Sequence, residues 1–248
     1  MALLEAVERD AEAVETMDVR GLKKLVLAFE KRLRDNLAAR MKYSENPEKF
    51  MESEVELDDE VKRLTQLSAT PELYPELVRL NSVPSILSLL THENTDISID
   101  VVHLLQELTD GDVIGDYEEE AMVLIDALLE GNVLEMVAQN ITRMDEADNE
   151  EATAVHGSLS IIENLVESRP AVADTVGEKT KLLGWLLKRI TKREFDSNKL
   201  YASEVLAILL QSSLANQRRV GQLNGVDTLL QVGAASRRLV PGTRNLEA

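Results

Sequence analysis

From Ser82 to Asp110 the chain reads SVPSILSLLTHENTDISIDVVHLLQELTD, with apolar positions recurring three and four residues apart on either side of a polar break. Val83, Ile86, Leu87, Leu89 and Leu90 form the first stripe. Ile97, Val101, Leu104, Leu105 and Leu108 form the second, and the spacing predicts two amphipathic helices. Pro84 stands at the start of the first helix, where no N–H donor is needed. Asn94, Thr95 and Asp96 end that helix and offer capping oxygens to the next. The unit is a helix–turn–helix with one wet side.

The pattern returns downstream. Gly131 to Glu167 repeats the order of short helix, polar turn and longer helix, the last ending in Ile161, Ile162, Asn164 and Leu165. Lys181 to Gln211 repeats it again, and a further copy begins at Asn224 to Gly233. Val83, Val133, Leu182 and Val226 hold matching slots at spacings of 50, 49 and 44 residues, periods that signal armadillo or HEAT units. Such a unit cannot bury its apolar face alone, so neighbours must stack. Upstream, Leu22, Leu25, Val26, Phe29 and Leu33 make a helical stripe. The acid-rich SENPEKFMESEVELDDEVKRL follows, with Pro47 at a helix start and Phe50 as its anchor.

These patterns predict an all-α protein, an armadillo/HEAT-type right-handed helical solenoid with an N-terminal helical cap. The expected divisions are an extension over 1–18, helical or mobile, capping helices over 19–80 and repeats over 81–234. The repeats fall at about 81–130, 131–180, 181–223 and a partial 224–234. Residues 235–248 lose apolar periodicity and contain Pro241 and Gly242, which predicts a mobile tail. Val226, Leu229, Leu230 and Val232 would then present an apolar edge with no further repeat over it, so self-association or fraying is expected there.

Composition agrees and adds exclusions. Only 3% of the residues are aromatic against 44% hydrophobic overall, which favours helices packed through aliphatic ridges. The absence of cysteine removes disulfides, thiolate catalysis and cysteine-ligated metals. The first residues carry Glu5, Glu8, Arg9 and Asp10 and do not form a signal peptide. No run approaches the roughly 18 apolar residues of a membrane span, so a soluble intracellular chain is expected, without membrane contact.

A net charge of -18 bears on partners. It disfavours nucleic-acid phosphates, so no direct DNA binding is expected, and it attracts basic protein segments. The exception is Val19 to Lys42, where eight basic residues face only Glu30 and Asp35. A solvated helix face explains it, with an RNA contact or a weak import signal as alternatives. A basic helix followed by an acidic one also predicts a hairpin that pairs its charges.

Chemistry is sparse. His92, His103 and His156 lack metal-site spacing. Asp110 to Ala121 imitates a calcium loop at its first, third, sixth and seventh positions but fails at Ile114 and Ala121. Gly111 and Gly115 precede acids and so cannot cradle phosphate. No catalytic residue, cofactor or metal is assigned.

Particular stretches carry a family resemblance. Asn81, Val83, Pro84, Ile86, Leu87, Leu89, Leu90 and Asp96, followed by LLQEL, look like an armadillo repeat. NPEKFMESE, HENTDISIDVVHLLQELTD, VLIDALLEGNV, WLLKRI and NKLYASEVLAILLQ together resemble the beta-catenin-like protein 1 family. The resemblance implies a nuclear, non-enzymatic armadillo scaffold of the spliceosome, associated with the nineteen complex and its Myb-like subunit. It would bind basic segments of splicing factors in pre-mRNA processing. A transport adaptor for basic, nuclear-localisation-like signals is the alternative. Family members are more than twice as long, so the chain corresponds to their N-terminal part. The basic extension with import signals is not evident here.

By the same analogy, partners lie along the last helix of each repeat. Import receptors of this fold place a tryptophan and, four residues later, an asparagine there. The matching pairs are His103 and Glu107, Ser160 and Asn164, and Glu204 and Ile208, of which only Asn164 fits. The expected partner-binding residues are Asp100, His103, Glu107, Asp110, Ser160, Asn164, Glu167 and Glu204, an acidic surface suited to lysine and arginine.

Overall fold

The first helix starts where the sequence offers a cap: the Asp18 carboxylate accepts from the Gly21 amide at 2.6 Å and opens α1, Val19–Lys42. The computed structural model describes residues 17–211 and 213–239. Among them there is no strand. The fold is all-α. The expected extension over 1–18 lies outside the described residues except for Met17 and Asp18, the latter being the cap of α1.

Leu22, Val26, Phe29 and Leu33 are buried on one side of α1, the 3.6-residue stripe read from the sequence. Pro47 begins a short 3-10 turn, Pro47–Lys49, before α2, Met51–Leu64. The two helices form the charge-paired hairpin. Arg32 meets Glu56 at 2.7 Å, and Arg40 binds Glu54 while its guanidinium lies 4.8 Å from the centre of the Phe50 ring. Buried Asn36 donates to the Ser53 hydroxyl at 3.1 Å.

The chain continues through α3, Tyr74–Arg79, α4, Val83–Ser88, and α5, Thr95–Leu108. Pro84 lies in the first turn of α4, and the Asn94 side chain caps α5 by accepting from the Asp96 amide at 3.0 Å. Then come α6, Gly111–Asp116, and α7, Glu118–Glu130. Asp110 caps α6 by accepting from the Asp112 amide, so the stretch that imitates a calcium loop is a helix start.

Tertiary contacts divide the chain into two units, Met1–Gly131 and Asn132–Ala248. In the first, α2 packs on α1 and α5, and α7 packs on α3 and α4. The second comprises α8, Val133–Arg143, α9, Asn149–Ser168, α10, Val172–Lys179, α11, Leu182–Ile190, α12, Ser197–Gln211, α13, Leu214–Gln222, and α14, Gly225–Leu239. There α9 packs on α12, α12 on α11, and α13 on α10 and α14.

The matched slots have a structural meaning. Val83, Val133 and Leu182 are the first residues of α4, α8 and α11, and all three are buried. Asn81, Asn132 and Asn224 precede α4, α8 and α14 with φ of 58°, 62° and 56°. A left-handed turn at each point suits asparagine, whose short polar side chain tolerates that region. The third slot differs: the Thr180 hydroxyl accepts from the Leu182 amide at 3.1 Å.

One boundary shifts. The last helix runs to Leu239, past the expected end of the repeats at 234, and the rest of the expected tail, 240–248, lies outside the described residues. Leu223, just after α13, and Val226, Leu229 and Leu230 on α14 are exposed.

Candidate functional site

Three helices carry the expected partner-binding residues: α5 in the first unit, α9 and α12 in the second. On α5, Asp100, His103 and Glu107 recur at helical spacing, and Asp110 follows as the cap of α6. His103 is half-buried, whereas Glu107 and Asp110 are exposed and meet no Lys or Arg in ion-pairing range among the described residues. Both carboxylates lie near the buried Tyr74 phenol, which burial, then Glu107 and then Asp110 push above the usual tyrosine range.

Asp100 departs from the expectation of a solvated groove position. Its side chain is 18% exposed and lies between α2 and α5, 3.3 Å from the Lys62 ammonium. Lys62 also donates to Asp58 at 2.6 Å. Burial, together with the hydrogen bond and charge of Asp58, pushes the Asp100 carboxyl up to about 7, while Lys62 opposes the rise. A carboxyl that holds its proton more tightly in the folded state supports folding fully below the ordinary aspartate range, and that support is lost as pH rises through about 7. Asp100→Asn is therefore expected to stabilise the protein more at pH 8 than at pH 5, by about 1 kcal/mol or more. Urea midpoints at the two pH values read the difference, and an equal effect at both would show the carboxylate ionised throughout.

In the second unit, Ser160, Asn164 and Glu167 lie along α9, the first two half-buried and the third exposed, and Glu204 is exposed on α12. The structure brings Ser160 and Glu204 together around Tyr201. The Tyr201 hydroxyl donates to Glu163, and the His156 ring stands 4.4 Å from the tyrosine ring. Burial first, then the hydrogen bond to Glu163, pushes the phenol up, with Ser160 opposing and Glu204 adding. The sequence reading missed Tyr201, Glu163 and His156 as a group. A signal existed, since Ser160 and Glu163 lie on one turn of α9, but the partner on α12 is set by helix packing.

The charge is unevenly distributed. Residues 1–131 carry 30 acidic and 13 basic side chains, and residues 132–248 carry 15 and 14. From Leu80 to Gly131 there are twelve Asp and Glu residues and no Lys or Arg. Among the described residues no group of three or more His, Asp or Glu side chains is arranged to hold a metal ion. The second unit has a cavity of about 550 Å³ lined by Glu146, Arg189, Lys192, Asp196 and Asn198, among others. Its lining includes the ion-pair network of Glu146, Arg189, Lys192 and Asp196.

Over residues 1–247 the sequence matches the family described as "Catenin-beta-like, Arm-motif containing nuclear". It is 50% identical over 228 residues to Beta-catenin-like protein 1 of Homo sapiens, covering 92% of this chain and 40% of the human protein. It is 37% identical over 229 residues to the Beta-catenin-like protein 1 homolog of Schizosaccharomyces pombe, covering 92% of this chain and 39% of that protein. The chain thus spans about two fifths of the length of the curated relatives it matches.

Proposed function

Because the chain belongs to the catenin-beta-like family of Arm-motif containing nuclear proteins, we propose that it is a non-enzymatic scaffold that holds basic segments of partner proteins in the nucleus. The observation that carries this reading is the cation-free stretch from Leu80 to Gly131, with Glu107 and Asp110 exposed at the end of α5. Glu93 and Asp100 of that stretch are paired with Arg40 and Lys62, but exposed carboxylates without an ion pair among the described residues, as at Glu107 and Asp110, favour lysine- and arginine-rich ligands in encounter and in register. The family resemblance supplies the setting: pre-mRNA splicing, with basic segments of splicing factors as ligands, among them that of the Myb-like subunit of the nineteen complex.

A pull-down from nuclear extract tests the setting. Recovery of nineteen-complex proteins is expected; recovery of transport carriers and nuclear-pore repeats instead would replace the scaffold by a transport adaptor. The chemistry is tested separately. Glu107→Lys is expected to weaken binding of a lysine-rich peptide by about 1 kcal/mol, the range for an exposed pair, and raised salt should weaken the unmutated complex. Fluorescence anisotropy at low salt measures both, and unchanged affinity in the variant removes Glu107 from the binding surface.

A further inference from the structure

Apart from Lys42, whose ammonium lies 4.9 Å from the centre of the Tyr43 ring, the basic residues of α1 divide into two sets. Those facing the rest of the unit are paired: Lys23 with Glu76 at 3.4 Å, Arg32 with Glu56, and Arg40 with Glu54 and Glu93. Arg20, Lys24, Lys31 and Arg34 are exposed and form no ion pair among the described residues. Their spacing places them in one stripe with Leu27 and Met41, since positions 20, 24, 27, 31, 34 and 41 recur at steps of three, four and seven. Leu27 is 69% exposed and Met41 84%. The stripe is about 31 Å long at 1.5 Å per residue. At its upstream half Leu27 borders a cavity of about 480 Å³ between α1 and the turn into α4, lined also by Val26, Leu80, Asn81 and Ser85 and, among charged residues, by Lys23 and Glu30.

We infer that this outer face of α1 docks an acidic amphipathic helix of a protein partner, which seats an apolar side chain beside Leu27 and sets carboxylates against Arg20, Lys24, Lys31 and Arg34. Charge complementarity selects the sign, and the cavity beside Leu27 accounts for an apolar anchor within a cationic stripe. A nucleic-acid strand fits less well. Its phosphates have no use for exposed Leu27 and Met41, and the one aromatic residue of α1, Phe29, is buried and cannot stack on a base. The net charge of -18 opposes any anion at a distance, but screening limits that field to about 8 Å at physiological salt, so the local stripe decides. The surface is separate from the acidic one on α5, and the inference does not rest on the proposed function.

The test uses the full chain and a labelled 21-residue peptide of three heptads, with leucine along one face and glutamate flanking it, read by fluorescence anisotropy beside a 20-nucleotide oligouridine. The peptide is expected to bind. Leu27→Asp and Arg34→Glu should each weaken it about tenfold or more, while Glu107→Lys leaves it unchanged. Both altered side chains are exposed, and far-UV circular dichroism checks each fold, with Lys31→Glu as a second charge reversal. Absence of peptide binding, binding insensitive to Leu27 and Arg34, or tighter binding of oligouridine overturns the inference.

Discussion

Glu146→Ala is expected to lower the unfolding free energy by about 3–5 kcal/mol, because it strips the main counter-ion from a buried arginine. Arg189, in the last turn of α11, has a side chain only 3% exposed. Its Nε donates to both Glu146 oxygens at 2.8 and 2.9 Å, and its Nη2 reaches Asp196 at 2.6 Å. Lys192 and Asn198 donate to the same glutamate, and Asn198 also donates to the Ala152 carbonyl at 2.8 Å. One carboxylate therefore ties the turn between α8 and α9 to α11 and α12. Asp196 is the remaining partner after the substitution, but its side chain is 45% exposed and its attraction is correspondingly screened.

The network also sets a pH dependence. Burial pushes the Glu146 carboxyl up, but the hydrogen bonds from Arg189, Lys192 and Asn198 outweigh it and hold the group below the ordinary glutamate range. A depressed carboxylate contributes stability that is present above the ordinary range and lost as pH falls through the folded value. The alanine variant should lose that part of the acid sensitivity. Urea unfolding at neutral pH measures the main effect, and Arg189→Met combined with Glu146→Leu should recover much of the loss, since it leaves no buried charge unpaired. A loss of less than about 1 kcal/mol in the single variant would show that Arg189 is solvated or re-paired.

Gly177→Ala carries the second large effect, and its sign is opposite to helix propensity. Alanine gains about 1 kcal/mol over glycine within a helix, and position 177 lies inside α10. A Cβ there would overlap the Asn216 side-chain oxygen and stand 2.7 Å from its Cγ. Asn216 is fully buried, donating to the carbonyls of Ala173 at 2.6 Å and Leu209 at 3.2 Å and accepting from Arg219 at 3.1 Å. It cannot yield without breaking bonds that water does not replace. Overpacking and lost buried hydrogen bonds each cost about 1–3 kcal/mol, so a net loss of about 2–3 kcal/mol is expected. Thermal unfolding reads it, and a raised melting temperature would show that Asn216 moves freely.

Local features of the chain were legible because their causes are local. Apolar spacing predicted the helices of the repeats, Pro84 and Asn94 marked their starts, and Val83, Val133 and Leu182 fell at the first residues of equivalent helices. The apolar stripe of α1 and the charge-paired hairpin with α2 followed from the same reading. At the candidate site, Glu107, Glu167 and Glu204 are exposed as their helical phase required, and Asp110 is exposed as the cap of α6. Tertiary structure decided the rest. Asp100 shares the polar phase of Glu107, yet α2 brings Asp58 and Lys62 against it and removes it from solvent. Arg189 and Glu146 meet across 43 residues, as do Asn216 and Ala173. Helical period fixes which side of a helix is apolar, but the fate of a polar residue at the edge of that side depends on which distant helix packs over it. That choice is made by the stacking of whole helices, where one buried partner converts a solvated charge into a structural one.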